Sequence, residues 1–454
     1  MEKLMLSEII QAVRGSYGYP ADVEVKDIST DTRTITEGSL FIALKGANFD
    51  GHDFAAQAME AGAVAVVTER PVDGARCLIV DSTSQALLDA ASYYRSRFDI
   101  PLVGITGSVG KTTTKEMIWS VMSKGFKTLK TEANHNNEVG MPKTLLELDS
   151  THQAAVIEMG MNHKGEISRM STSCKPTVCV ITNIGVSHIE NLGSQEGILK
   201  AKMEILDGAS ADAPLILSRD DRILSKVQVY GDRKIWYYSV SKKDSDVYAS
   251  DIAADSKGIS FTIHYAREKL PARINCLGEH NVKNALAAFC VGAALGMDNA
   301  DIIAGLADFR PEGMRQNIIE ENGVTYILDC YNAAPDSMKA SLSVLGQVSV
   351  RGRRIAVLGD MLELGKGSTR YHRTVGEYVK NSKTDILLCF GKNSNYYIEG
   401  ACDKGFDRAN TAHFDSREEL AEHLKGILKE GDAVLFKGSR GMKLEEVYEA
   451  IKQA

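Results

Sequence analysis

The stretch VGITGSVGKTTTKEMI, residues 103–118, decides how the chain is read. An apolar run leads into glycines at 104, 107 and 110, and Gly110 is followed directly by Lys111 and Thr112. Between a strand and a helix, glycine frees backbone N–H groups to surround a phosphate, and the helix N-terminus adds partial positive charge. On this reading Gly107, Ser108, Val109, Gly110, Lys111, Thr112 and Thr113 cradle a triphosphate. Lys111 reaches the β- and γ-phosphates and the Thr112 hydroxyl meets Mg²⁺. The ordinary alternative is a tight strand-to-helix turn that merely contains glycine. The spacing also departs from the common phosphate loop, which carries glycine five positions before Gly110, where this chain has Ile105.

Outward from the loop, the chain of 454 residues is too long for one hydrophobic core and fits about three domains. The apolar runs SLFIAL, AVAVVT and CLIV suggest a small α/β domain over 1–85. Over 86–311, strands such as PLVGIT, AAVIEMG, TVCVITNIG and PLILS alternate with helical stretches. That pattern predicts a mostly parallel sheet with helices on its faces. TYILDC, RIAVLGD, DILLCFG and AVLFKGS restart the alternation, giving a second α/β domain over 312–454. The N-terminal MEKLMLSEIIQAV reads as an amphipathic helix and not as a signal peptide.

The net charge of −7 argues against a nucleic-acid binder. No apolar run is long enough to span a bilayer. The eight cysteines are scattered without a CxxC pair or metal-type spacing, as expected of reduced thiols in a cytoplasmic protein.

In open α/β sheets ligands gather outside the carboxyl ends of the strands. Glu158 ends AAVIEMG, His188 follows TVCVITNIG, and Lys202 lies in the helical GILKAKMEIL. Glu158 is an oxygen donor suited to Mg²⁺ beside the phosphate loop. Taken alone, each has a plain explanation: a capping carboxylate, a structural histidine, a solvated lysine.

These residues sit inside words that resemble the Mur ligases: ITGSVGKTTTKEM, NHNNEVGMPKTLLEL, VIEMGMNHKGEI, NIGVSHIENLGSQEGILKAKMEI, LGEHNVKNALAA, ILDCYNAAPDSMKASL, LGDMLELG and KGSRGMKLEEV. The N-terminal DTRTITEGSLFIALKGANFDGHDFAAQAMEAGAVAVV is similar to that family's uridine-nucleotide-binding domain. The resemblance covers nearly the whole chain. It implies three domains, for a UDP-substrate, for ATP and, in a Rossmann-like C-terminal domain, for the incoming amine. The implied reaction is ATP-dependent amide formation through an acyl phosphate, in a cytoplasmic step of peptidoglycan precursor synthesis by a monomer. The words NHNNEVGMPKTLL and DCYNAAPDSM point within the family to UDP-N-acetylmuramoyl-tripeptide and D-alanyl-D-alanine as substrates. The alternatives are the preceding ligase of the family, which adds the third amino acid, and a P-loop ATPase of another class.

The resemblance further implies Glu158 in the shell of one Mg²⁺, His188 at a second, and a CO₂-derived carbamate on Lys202. It places Asn281 and Asn284 on adenine, though Asn281 also fits a helix cap. It places Arg315 on the ATP phosphates and Asp329, Tyr331 and Asn332 in the nucleotide cleft. Asn137, Lys437, Ser439 and Arg440 are the candidates for substrate on the other side. Lys437, Ser439 and Arg440 are expected to meet the dipeptide carboxylate, with a solvated glycine-rich turn as the alternative. Thr32, Arg33, Lys45, Asp50 and His52 are the candidates for the uridine diphosphate.

Overall fold

The computed structural model describes residues 1–46, 48–228, 231–311 and 313–452. Three α/β layers follow one another along the chain. The first is a five-stranded sheet in the order Ser16–Tyr17, Cys77–Ile79, Ala65–Thr68, Ser39–Ile42, Asp27–Ser29, parallel except at Ser16–Tyr17. The N-terminal segment begins as a short strand, Leu4–Met5, paired with Glu24–Val25, before the helix Leu6–Val13. The expected helix is therefore shorter than MEKLMLSEIIQAV.

The central sheet has nine strands. Leu102–Thr106 lies between Val178–Ile181 and Ala154–Glu158, and all of its residues are buried, as a parallel strand covered by helices on both faces requires. From Thr128–Lys130 at one edge to Val247–Asp255 the pairing is parallel. Chain order runs one way from Leu102–Thr106 through Ala154–Glu158 and the other way from Val178–Ile181, so the switch point lies where the phosphate loop leaves the sheet. Beyond Val247–Asp255 the sheet continues as antiparallel hairpins through Gly258–Tyr265 and Glu268–Ile274. This meander is not evident from the α/β alternation.

The C-terminal sheet has six strands in the order Asn317–Glu321, Val324–Leu328, Ala433–Lys437, Arg354–Gly359, Ile386–Phe390, Thr411–Phe414. Only the first pair is antiparallel.

The helix Thr83–Arg95, capped by the Ser82 hydroxyl, spans the boundary expected at 85/86. Its buried side packs on helices Gly140–Leu146 and Glu166–Cys174 of the central domain. Arg95 donates to the Cys174 and Ile100 carbonyls, and the Ser173 hydroxyl donates to the Leu88 carbonyl. One apolar cluster accordingly runs from Leu40, Ile42 and Val67 through Leu87, Ala91 and Tyr94 to Leu102, Ile157 and Ile181. The boundary expected at 311/312 falls at Glu312, outside the described residues. All eight cysteines are free thiols, seven of them buried. Among the described residues no helix is long and apolar enough to cross a membrane.

Candidate functional site

The helix Lys111–Met122 buries Thr114, Met117, Ile118, Val121 and Met122, one face at helical spacing, and so fixes the direction of its N-terminus. Gly110 supplies the left-handed turn before it, with φ 78°. A Cβ on Gly107 would lie 1.8 Å from the Thr182 hydroxyl oxygen, so that position has no room for a side chain. Ile105 is fully buried in the strand, and the loop therefore begins only at Gly107. This is why the common glycine spacing is absent.

The loop is braced from the neighbouring strand end. Asn183 accepts the Val109 N–H through Oδ1 (3.0 Å) and donates back to the Val109 carbonyl through Nδ2 (3.0 Å). The Thr182 hydroxyl donates to that same carbonyl at 2.8 Å, and the Gly185 N–H donates to the Ser108 hydroxyl at 2.9 Å. The first N–H groups of the helix lack intrahelical partners and face outward. Lys111 Nζ folds back to the Gly107 carbonyl at 2.9 Å. Burial pushes its ammonium below the ordinary lysine value, with Glu158 opposing and Arg315 adding to the shift.

Glu158, 1% exposed, stands beside Ile105 across the parallel pairing. Its Oε2 accepts the Thr112 hydroxyl at 2.8 Å, and its Oε1 accepts Asn136 Nδ2 at 2.7 Å. Asn136 was not singled out in the sequence; its neighbour Asn137 was. Asn137 borders the same cleft, but its Oδ1 is taken up in the turn before the helix Gly140–Leu146, accepting the Val139 and Gly140 N–H groups. The amide that touches the carboxylate is the adjacent one.

A cleft of ≈ 690 Å³ joins the loop, Glu158 and His188 to Arg315, Asp329, Tyr331, Asn332 and Lys437 of the C-terminal side. Arg315 stacks on the Tyr331 ring, 4.1 Å from its centroid. Asp329 pairs with Lys437 at 2.9 Å and accepts the Ser341 hydroxyl. A smaller cavity of ≈ 310 Å³, which shares Thr112, Thr113, Arg315 and Tyr331, also reaches Asn281. The Asn281 cap expectation fails, because Gly278 is the cap and Asn281 is the third residue of the helix Glu279–Ala294. Its amide donates to Leu277 O (2.7 Å) and Gln316 Oε1 (2.9 Å), while Asn284 donates to it at 3.0 Å.

His188 has φ 60° and lies on the cleft wall. Burial lowers its imidazolium below the ordinary value, opposed by Glu363. Lys202, on the helix Gln195–Met203, is 3% exposed and is not part of the cleft lining. Burial, with the like charge of Lys111 added, pushes it far below the ordinary lysine value.

The three residues expected at a dipeptide carboxylate are not brought together. Only Lys437 lines the cleft. Ser439 is buried, accepting the Leu362 N–H at 2.9 Å, and Arg440 pairs with Glu445 against the Met314 sulfur. Local partners consume both side chains.

The N-terminal candidates line neither cavity. Arg33 chelates Asp31 two residues away, with contacts of 2.6–3.1 Å, beside Thr32 in the same turn. Lys45 bridges to Asp50 through the backbone. Asp50 accepts both the N–H (3.0 Å) and Nδ1 (2.6 Å) of His52. His52 is buried and its Nε2 accepts the Glu69 N–H at 2.9 Å. Arg33 and Lys45 are exposed.

Residues 24–94, 105–292 and 314–440 match the family models for the Mur ligase catalytic domain, the Mur ligase middle domain and the Mur ligase glutamate ligase domain. The chain is 38% identical to the UDP-N-acetylmuramoyl-tripeptide–D-alanyl-D-alanine ligase of Bacillus subtilis, over 98% of each chain. Its fold superposes on a crystal structure of MurF from Acinetobacter baumannii with TM-score 0.93, at 32% identity over the full length of both. The MurF ligase of Thermotoga maritima, solved in complex with ADP, superposes with TM-score 0.85 at 29% identity, over 94% of this chain and 97% of that one. With three domains matched in order and relatives aligned end to end, the chain belongs to the Mur ligase family.

Proposed function

We propose that this chain is an ATP-dependent ligase that joins D-alanyl-D-alanine to the terminal carboxylate of UDP-N-acetylmuramoyl-tripeptide, a cytoplasmic step of peptidoglycan precursor synthesis. The observation that carries the reading is one cleft in which Lys111, Thr112 and Glu158 face Arg315, Asp329 and Lys437 from another domain. A nucleotide bound by the loop is thereby presented to groups of the C-terminal side. The protein acts as a monomer; residues 1–85 take the UDP end, 86–311 hold ATP and 312–454 receive the dipeptide.

A carboxylate is a poor electrophile, so it first takes the γ-phosphoryl group of ATP to give an acyl phosphate and ADP. The dipeptide amine then attacks the acyl carbon, phosphate leaves, and the amine loses a proton. Both steps crowd anions together, so positioning and fixed positive charge carry the catalysis. Lys111 exchanges its contact with the Gly107 carbonyl for the β- and γ-phosphate oxygens. The helix N–H groups at 111–113 hold the phosphates, and Asn183 and Thr182 keep the loop open for them. Arg315 meets phosphate charge from the other domain. Asn281, in the smaller cavity beside Thr112, and Asn284, on the wall of the larger cleft, border the base.

The Thr112 hydroxyl and the Glu158 carboxylate are hard oxygen donors and fit Mg²⁺. Among the described residues no cluster of three or more His, Cys, Asp or Glu side chains could hold a metal, so phosphates and water would complete the shell. Thr112 and Glu158 would hold one Mg²⁺, and His188 with Lys202 a second, and bound there the ions would supply charge neutralisation for the phosphoryl group. Burial beside Lys111 favours a neutral Lys202 amine. That amine adds to CO₂, forming an N–C bond and releasing one proton, and the carbamate then balances the charge of Lys111. Of the N-terminal candidates, Arg33 and Lys45 are exposed cations and take the diphosphate in this reading, Arg33 by giving up its contact with Asp31, whereas Asp50 and His52 shape the turn.

The test is phosphate release with ATP and Mg²⁺, adding the UDP-tripeptide and D-alanyl-D-alanine separately and together. Release only with both present, and a product heavier by one dipeptide, is the expected outcome. Release from ATP alone would overturn the ligase reading.

A further inference from the structure

The word LGDMLELG, residues 358–365, runs from the end of the strand Arg354–Gly359 into the turn Gly365–Gly367 and lies outside the cleft lining. Its loop meets the central-domain loop that carries His188. Glu363 Oε2 stands 3.0 Å from His188 Nδ1. The histidine nitrogen is buried and has no aligned hydrogen bond, so this carboxylate is the partner within reach. Both residues are non-glycines in the left-handed region, φ 60° at His188 and 61° at Glu363. Strain of that kind persists only where the surroundings impose it, and it concentrates at functional positions. The two loops approach closely beside the pair: a Cβ on Gly365 would lie 3.3 Å from the Glu190 Cβ. Val186 packs against the C-terminal core next to them.

We propose that Glu363 is a positioning residue that reaches across from the C-terminal domain and orients His188 toward a divalent cation in the cleft. A ligating histidine characteristically gives its second N–H to a carboxylate, which fixes the tautomer and ring plane and strengthens the donor nitrogen. With Nδ1–H directed to Glu363, Nε2 keeps its lone pair for the cation. Because the carboxylate and the imidazole belong to different domains, the ligand is set only when the domains are docked. Cation affinity and domain docking thereby become one equilibrium. The inference rests on the reading of His188 as a cation ligand, but not on the identity of the peptide substrates.

The test uses Mn²⁺ as the probe with the full chain and a non-hydrolysable ATP analogue, in the absence of the UDP-substrate and the dipeptide. Binding is followed by the free-Mn²⁺ electron paramagnetic resonance signal, and histidine ligation by nitrogen modulation in the pulsed experiment. Glu363→Ala is expected to weaken the histidine-linked site by about ten- to a hundredfold and to lose the nitrogen modulation. Glu363→Gln keeps an oxygen acceptor for Nδ1–H and is expected to recover most of both. An alanine variant that matches wild type in affinity and modulation would overturn the proposal, as would wild-type protein lacking nitrogen modulation. A failed ligase assay would leave this binding result standing, so the two readings fail separately.

Discussion

The phosphate loop at 107–113 and the N-terminal turn at Asp50–His52 are both short polar segments containing glycine, yet the fold treats them differently. In the loop, side chains from 182 and 183 take up the Val109 carbonyl and the Val109 N–H and leave the helix N-terminus open. In the turn, Asp50 and His52 satisfy one another and the Glu69 N–H, with little left for a ligand. One region is braced from outside so that its own groups stay available; the other braces itself. Polar composition alone does not tell them apart.

The largest effect expected from this contrast is at Lys111. Lys111→Ala should lower ligation on the order of 10³-fold while the melting temperature holds. A loss of melting temperature in step with activity would make the lysine structural and erase the contrast. Next comes Glu158→Gln, expected to raise the Mg²⁺ concentration for half-maximal rate roughly ten- to a hundredfold. An unchanged Mg²⁺ requirement would leave the carboxylate as a mere partner for Thr112 and Asn136.

On the other side, His52→Ala should destabilise the protein by about 1–3 kcal/mol through the orphaned Glu69 N–H and the lost contact with Asp50. Denaturant unfolding measures this, and steady-state kinetics should show kcat unchanged. A selective rise in KM for the UDP-substrate would instead make the turn a binding site in its own right. The smallest effect is expected at Arg33→Ala, no more than roughly a fivefold rise in that KM, because the side chain is exposed and already engaged by Asp31. A rise confined to the dipeptide or to ATP would remove Arg33 from the diphosphate.

Legibility followed the distance over which the physics acts. Gly107, Gly110, Lys111 and Thr112 form one local unit, and their spacing carries their geometry. Glu158 was legible because a strand end has only one place to go once its neighbour is known. Between Asn136 and Asn137 the choice is made by which amide turns toward Glu158, a tertiary matter that two identical neighbours cannot announce. Arg440 pairs with Glu445 five positions on, across the left-handed Lys443, a contact that the word KGSRGM does not announce. Glu363 and His188 are 175 positions apart, and only docked domains bring them within 3.0 Å. The antiparallel meander over 247–274 was hidden by the α/β alternation before it.

The helix Thr83–Arg95 ties the first sheet to the second through Arg95, Ser173 and a shared apolar cluster. Heat should therefore not melt three units. Calorimetry is expected to give two transitions, one for the N-terminal and central sheets together and one for the C-terminal sheet, whose apolar clusters take in only Leu277 and Val186 from the central domain. A nucleotide gripped only at the phosphate loop would then raise the first transition, and a ligand spanning the cleft would draw the two toward one.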